Sequence, residues 1–71
     1  MIHVALAGAY PTEAKARAGI ADDLHVIALG QFRGARYLGV WHAPTYERPE
    51  VHVFSVDTDA DDLLRAGWTR A

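Results

Sequence analysis

Gln31-Phe32-Arg33-Gly34-Ala35-Arg36-Tyr37-Leu38-Gly39-Val40-Trp41-His42-Ala43-Pro44 is the stretch on which the fold turns. Its second half, Tyr37 to His42, reads as a strand, and Gly30 to Arg36 reads as a connection with a turn built on Gly34. Before it comes Leu24-His25-Val26-Ile27-Ala28-Leu29, which is short, apolar on both parities and partly β-branched. That is the pattern of a strand covered on both faces, so it belongs at the centre of a sheet. After it, Ala43 to Glu50 is a loop held by Pro44 and Pro49, and Val51-His52-Val53-Phe54-Ser55-Val56 is the clearest strand in the chain. A helical crossover usually takes a dozen or more residues, and neither connection is that long, so length favours antiparallel neighbours here.

Working outward, Ile2, Val4 and Leu6 alternate with His3, Ala5 and Ala7. This predicts a strand with large groups on one face and small ones on the other, where a helix can approach closely. Gly8-Ala9-Tyr10-Pro11 stops it, Thr12 is an N-cap, and Glu13 suits the positive end of the helix that follows. Ala14, Ala18 and Ala21 form one helical stripe, so a helix from Thr12 to Ala18 or Ala21 should lie on the sheet by that face. Gly19 ends this helix or weakens it, and Asp22-Asp23 begins the next turn. At the far end, Thr58-Asp59-Ala60-Asp61 has the form of a capping signal, Leu63-Leu64 stands behind it, Gly67 closes the helix and Trp68 folds back onto it.

The predicted order is strand, helix, three strands, helix, in one domain spanning residues 1–71. The expected fold is α/β, a small four-stranded sheet with two helices and a Rossmann-like βαβ start whose first two strands are parallel. The alternative is α+β, with strands two to four as an antiparallel meander. A chain of this size hides only about 60% of its unfolded surface, so the core is small and self-association is a natural remedy for uncovered edges. Thirteen of the apolar residues are alanines, which leaves the core to Val, Ile, Leu, Phe and Trp.

There is no cysteine, which excludes disulfides, thiolate metal sites and cysteine nucleophiles. No apolar run reaches the roughly 18 residues of a membrane span, and Met1-Ile2-His3 lacks the basic start of a signal peptide. The expected location is cytoplasmic. The net charge of -2 gives no general attraction to nucleic acid or anionic membrane. Its distribution is uneven: residues 31–48 set Arg33, Arg36 and Arg48 against Glu47, while Asp57, Asp59, Asp61 and Asp62 face Arg65 alone. Six arginines against one lysine, with abundant alanine, fit a GC-rich source.

Phe32 to Trp41 resembles the arginine-glycine turn and following strand of terminase-like and helicase-like P-loop ATPases. The chain is also similar to short actinobacteriophage proteins in which a Rossmann-like strand and helix precede a Leu-Arg-Gly-x-Arg turn and an Arg-Pro-acidic segment follows. Gly8 and Tyr10, Phe32 to Arg36, and Arg48-Pro49-Glu50 carry that resemblance. It implies a parallel pairing of strands two and three. The ATPase motifs are missing: the strand ends in Trp41-His42 where an acid would stand, and Lys15 has no glycine-rich loop around it. Nucleotide hydrolysis is therefore not expected.

His3, His25, His42 and His52 fall one in each expected strand, yet no pair has metal-ligand spacing, so no metal or other cofactor is expected. A helix N-terminus accounts for Asp59, Asp61 and Asp62 without a magnesium ion, and Ser55 and Thr58 lack the glycine elbow of a nucleophile. No catalytic residue is assigned and no enzyme activity is expected. Gln31, Arg33, Arg36, Trp41, Tyr46 and Arg48 are the candidate partner-binding residues, since Arg, Trp and Tyr are enriched at interface hot spots. The expected function is a non-enzymatic protein-interaction module, a phage accessory protein that binds a host or viral protein or pairs with itself as a homodimer. The alternative is nucleic-acid binding through Arg33 and Arg36, with Tyr37, Trp41 and Tyr46 as stacking rings.

Overall fold

A computed structural model describes residues 1–23, 30–45, 47 and 49–71. The elements are β1 (Ile2–Leu6), α1 (Glu13–Asp23), β2 (Arg36–His42), β3 (Glu50–Ser55), α2 (Ala60–Arg65) and β4 (Thr69–Arg70). Residues 30–32 are also helical. The four strands form one sheet in the order β1-β3-β2-β4, and every described pairing is antiparallel. A small four-stranded sheet with helices is thus what the sequence led us to expect, with the antiparallel pairing of the α+β alternative. The parallel βαβ start is not among the described pairings, because β1 lies beside β3. The expected central strand, Leu24 to Leu29, lies outside the described residues.

β2 and β3 form a hairpin through residues 43–49, whose short span forbids a crossover. The hairpin is irregular at one point. Its register shifts between Tyr37 and Gly39, where Gly39 takes φ +100°, a conformation that favours glycine. The bulge leaves the Leu38 carbonyl to accept from Trp41 Nε1 at 2.8 Å. β4 pairs Trp41 with Arg70 and His42 with Thr69, covering the free side of β2.

Each face of the sheet has its own core. On one face α1 lies against β1, and Ala5, Ala16, Ile20, Phe32, Ala35 and Phe54 pack together. The buried side of α1 is Ala16 and Ile20, whereas Ala14 and Ala18 of the expected alanine stripe are exposed and Ala21 is half-buried. The helix orients by its one large apolar side chain, since a methyl group removes too little area from water to compete. Thr12 caps α1 as expected, its Oγ1 accepting from the Lys15 amide at 3.2 Å. The helix continues through Gly19 to Asp23, so Asp22 and Asp23 belong to its last turn rather than to a new one.

On the other face Trp41, Val51, Val53 and Leu63 form the second core, with Leu38, Ala60 and Trp68 against it. α2 is capped by Asp59 rather than Thr58: Asp59 Oδ1 accepts from the Asp62 amide at 3.0 Å, and Asp62 Oδ2 accepts from the Asp59 amide at 3.2 Å. Gly67, at φ +95°, ends it. The Gly67 amide donates to the Leu64 carbonyl and the Trp68 amide to the Leu63 carbonyl, a Schellman closure that turns Trp68 back onto the helix.

Candidate functional site

The candidate contact residues do not converge. Gln31 in the helical residues 30–32, Arg33 on the turn that follows and Arg36 at the start of β2 are all exposed. Trp41 is 0% exposed and is a core residue, so it presents nothing to a partner. Tyr46 and Arg48 lie outside the described residues. Arg36 is tied down, its Nη2 donating to the Thr58 carbonyl at 3.4 Å. The turn itself does not depend on Gly34, which has no positive φ and room for a methyl group. It is held by the Gly34 amide donating to the Gln31 carbonyl and the Ala35 amide donating to the Phe32 carbonyl at 2.8 Å.

The groups that suggested chemistry are used in holding the fold. Nε2 of His52 donates to the Tyr10 carbonyl at 2.6 Å, since a carbonyl can only accept, and the Tyr37 hydroxyl donates to Nδ1 at 2.8 Å. This network fastens the loop before α1 to the middle of the sheet. Burial, and then the nearby Glu13 carboxylate, push the Tyr37 hydroxyl above the ordinary tyrosine range. Ser55 is wholly buried; its Oγ donates to the Met1 carbonyl at 2.9 Å and accepts from the Thr58 amide at 2.9 Å. The Met1 ammonium pairs with Asp57, and that contact leads in holding the Asp57 carboxyl below its usual range. Asp59 is lowered chiefly by the Asp62 amide it caps. Among the described residues no three His, Cys, Asp or Glu side chains gather to hold a metal ion.

What the sheet leaves open is β1. It is the outer strand of the sheet and pairs only with β3 among the described residues. The Ala7 amide donates to the Glu50 carbonyl and the Val56 amide donates to the Met1 carbonyl, so odd-numbered residues face β3. By the alternation of an antiparallel ladder, the N–H and C=O groups of Ile2, Val4 and Leu6 point away from the sheet. The same three side chains are 38%, 47% and 57% exposed, because α2 reaches across β2 and β3 but not as far as β1. The edge carries no lysine, proline or bulge of the kind that usually blocks pairing.

Beside this edge, on the α1 face, runs a cleft of about 460 Å³ bordered by His3, Val4, Leu6, Tyr10, Ile20 and Asp23. Desolvation, and then the Met1 ammonium, hold the His3 imidazole below its ordinary pKa. The sequence carried a signal for this surface in the alternation of Ile2, Val4 and Leu6, although pattern alone does not say which face of a strand is left uncovered. Among the described residues no helix is long and apolar enough to cross a membrane.

No family model matches the chain, and neither does any curated protein or solved structure.

Proposed function

We propose that this protein is a non-enzymatic protein-interaction module that works by strand addition, taking an extended segment of another protein or of a second copy against β1. The observation that carries this reading is the β1 edge, where the outward backbone groups of Ile2 and Val4, the Leu6 amide and three apolar side chains lie open together, the Leu6 carbonyl being taken by the Ala9 amide at 3.1 Å. In strand addition the backbone hydrogen bonds supply affinity and alternate side chains supply selectivity. Covering each half-exposed side chain is worth roughly 1 kcal/mol, which adds to the ladder bonds. The arginine turn is an accessory surface in this reading. The side chains of Gln31 and Arg33 are exposed, but they are neither joined to Trp41 nor set against a second cationic cluster among the described residues.

The test is Val4→Lys. Val4 is 47% exposed, so the fold should tolerate the change, while a lysine on an edge opposes strand pairing. Self-association in sedimentation, or a defined complex with a purified partner, should be lost with the melting temperature unchanged within a few degrees. Association that survives Val4→Lys, or a strictly monomeric chain that captures no protein, refutes strand addition at β1.

A further inference from the structure

His3 separates the two kinds of strand that could lie beside β1. Its Nε2 is the buried side-chain polar atom without a hydrogen-bond partner among the described residues. The ring is 7% exposed, stands edge-on to Phe32 at 5.4 Å, and borders the cleft along the free edge. Native structures satisfy nearly all such atoms, and an orphan at the wall of an open cleft is an unused recognition group.

The ladder fixes where its partner must come from. The backbone groups of His3 point towards β3, so with respect to the free edge His3 is a non-hydrogen-bonded position. The residue opposite would have its Cα about 4.5 Å away, with its side chain on the same face and closer than at a hydrogen-bonded position. That face is the α1 side, where the cleft lies.

We propose that the strand received by β1 is an antiparallel segment of another protein, with serine or threonine opposite His3 and apolar residues opposite Ile2 and Val4. This rests on the strand-addition reading and names its partner's chemistry. A hydroxyl is short enough for the space and can donate to Nε2 or accept from it, so it suits either tautomer of the imidazole. A lysine or arginine could only donate and a carboxylate could only accept, so each would suit a single tautomer of the imidazole and would carry a charge against a buried ring. The apolar residues follow because side chains opposite Ile2 and Val4 fall on the open face beside exposed Ile2, Val4 and Leu6.

A second copy fits less well. The two-fold register centred on Val4 sets Val4 against Val4 and Ile2 against Leu6, which places Ala5 opposite His3 and leaves both imidazoles unsatisfied. Moving the register by two residues brings His3 opposite His3 but drops Leu6 of both copies out of the ladder.

Two peptides test this against the isotope-labelled full chain by amide chemical shifts: Lys-Val-Ala-Val-Thr-Val-Lys, and the same peptide with valine for threonine. The threonine peptide should shift the Val4 and Leu6 amides and bind about tenfold tighter than its valine counterpart, as expected for satisfying one buried group. His3→Phe, which keeps a ring against Phe32, should bind both peptides equally. Equal affinity of the unmodified chain for the two peptides overturns the role of His3 while leaving strand addition intact. No peptide binding, together with a dimer that Val4→Lys abolishes, assigns the edge to a second copy and overturns the proposal. No peptide binding and no dimer overturn both readings.

Discussion

Trp41→Ala separates a core role from a contact role more sharply than any change on the surface. The indole is 0% exposed, packs with Val51, Val53 and Leu63, lies 4.6 Å beneath the Arg70 guanidinium, and donates to the Leu38 carbonyl at 2.8 Å. Removing a buried tryptophan side chain costs about 3–5 kcal/mol. A chain of this length has a total stability of roughly 4–10 kcal/mol, so the variant should lose a large share of it. Trp41→Phe keeps most of the packing but leaves the bulge carbonyl without its donor, a cost of about 1–3 kcal/mol. Arg33→Ala with Arg36→Ala, on the exposed turn, should stay within roughly 1 kcal/mol of the unmodified chain. Urea unfolding followed by circular dichroism orders the three variants. A Trp41→Ala chain within about 1 kcal/mol of the unmodified one would refute the assignment of Trp41 to the core and return it to the set of contact residues.

Gly67→Ala should lower the urea midpoint by an amount corresponding to about 1–2 kcal/mol, because Gly67 holds φ +95° and an added Cβ would sit 3.4 Å from Pro44 Cβ; an unchanged midpoint contradicts the Schellman closure. Stability should fall as the pH drops below about 7, since unfolded His3 takes up a proton near 6.5 while burial keeps the folded imidazole neutral to a lower pH. The loss should level off below the folded pKa, and His3→Phe should flatten this part of the profile in thermal melts; an identical slope in the variant contradicts it. Further acid should then remove the stability that Asp57 and Asp59 contribute above their usual 3.8, as the pH falls through their lowered folded values.

Local chemistry made much of the fold legible. Thr12 reads as a cap because a hydroxyl precedes a helical run, and Gly67-Trp68 reads as a helix stop because only glycine enters a left-handed turn without strain. The alternation at Ile2 to Leu6 and at Val51 to Val56 gave two strands within a residue of their observed bounds. Pairing was harder, since a strand's partner depends on distant residues and connection length only biases the choice. Thr69-Arg70 was missed because two residues carry no period; they become a strand only because the closure at Gly67 delivers them to β2. The cap fell one residue late because Thr58 and Asp59 both bear capping oxygens, and Ser55 Oγ already receives the Thr58 amide. At the candidate site the sequence singled out Trp41 by residue type, and burial reassigns it to the core. The alternation at Ile2, Val4 and Leu6 marks the apolar face of β1, but not that this face is left open, because its exposure follows from how far α2 reaches across the sheet.

Amide hydrogen exchange along β1 tests the central claim most directly. In the dilute, unbound chain the Val4 and Leu6 amides should exchange much faster than those of Ala5 and Ala7, which face β3. Binding of the threonine peptide should slow Val4 and Leu6 while leaving Ala5 and Ala7 as they were. Val4 and Leu6 amides that are already as protected as their neighbours in the free chain, or that stay fast when the peptide is bound, would contradict an open, strand-accepting edge.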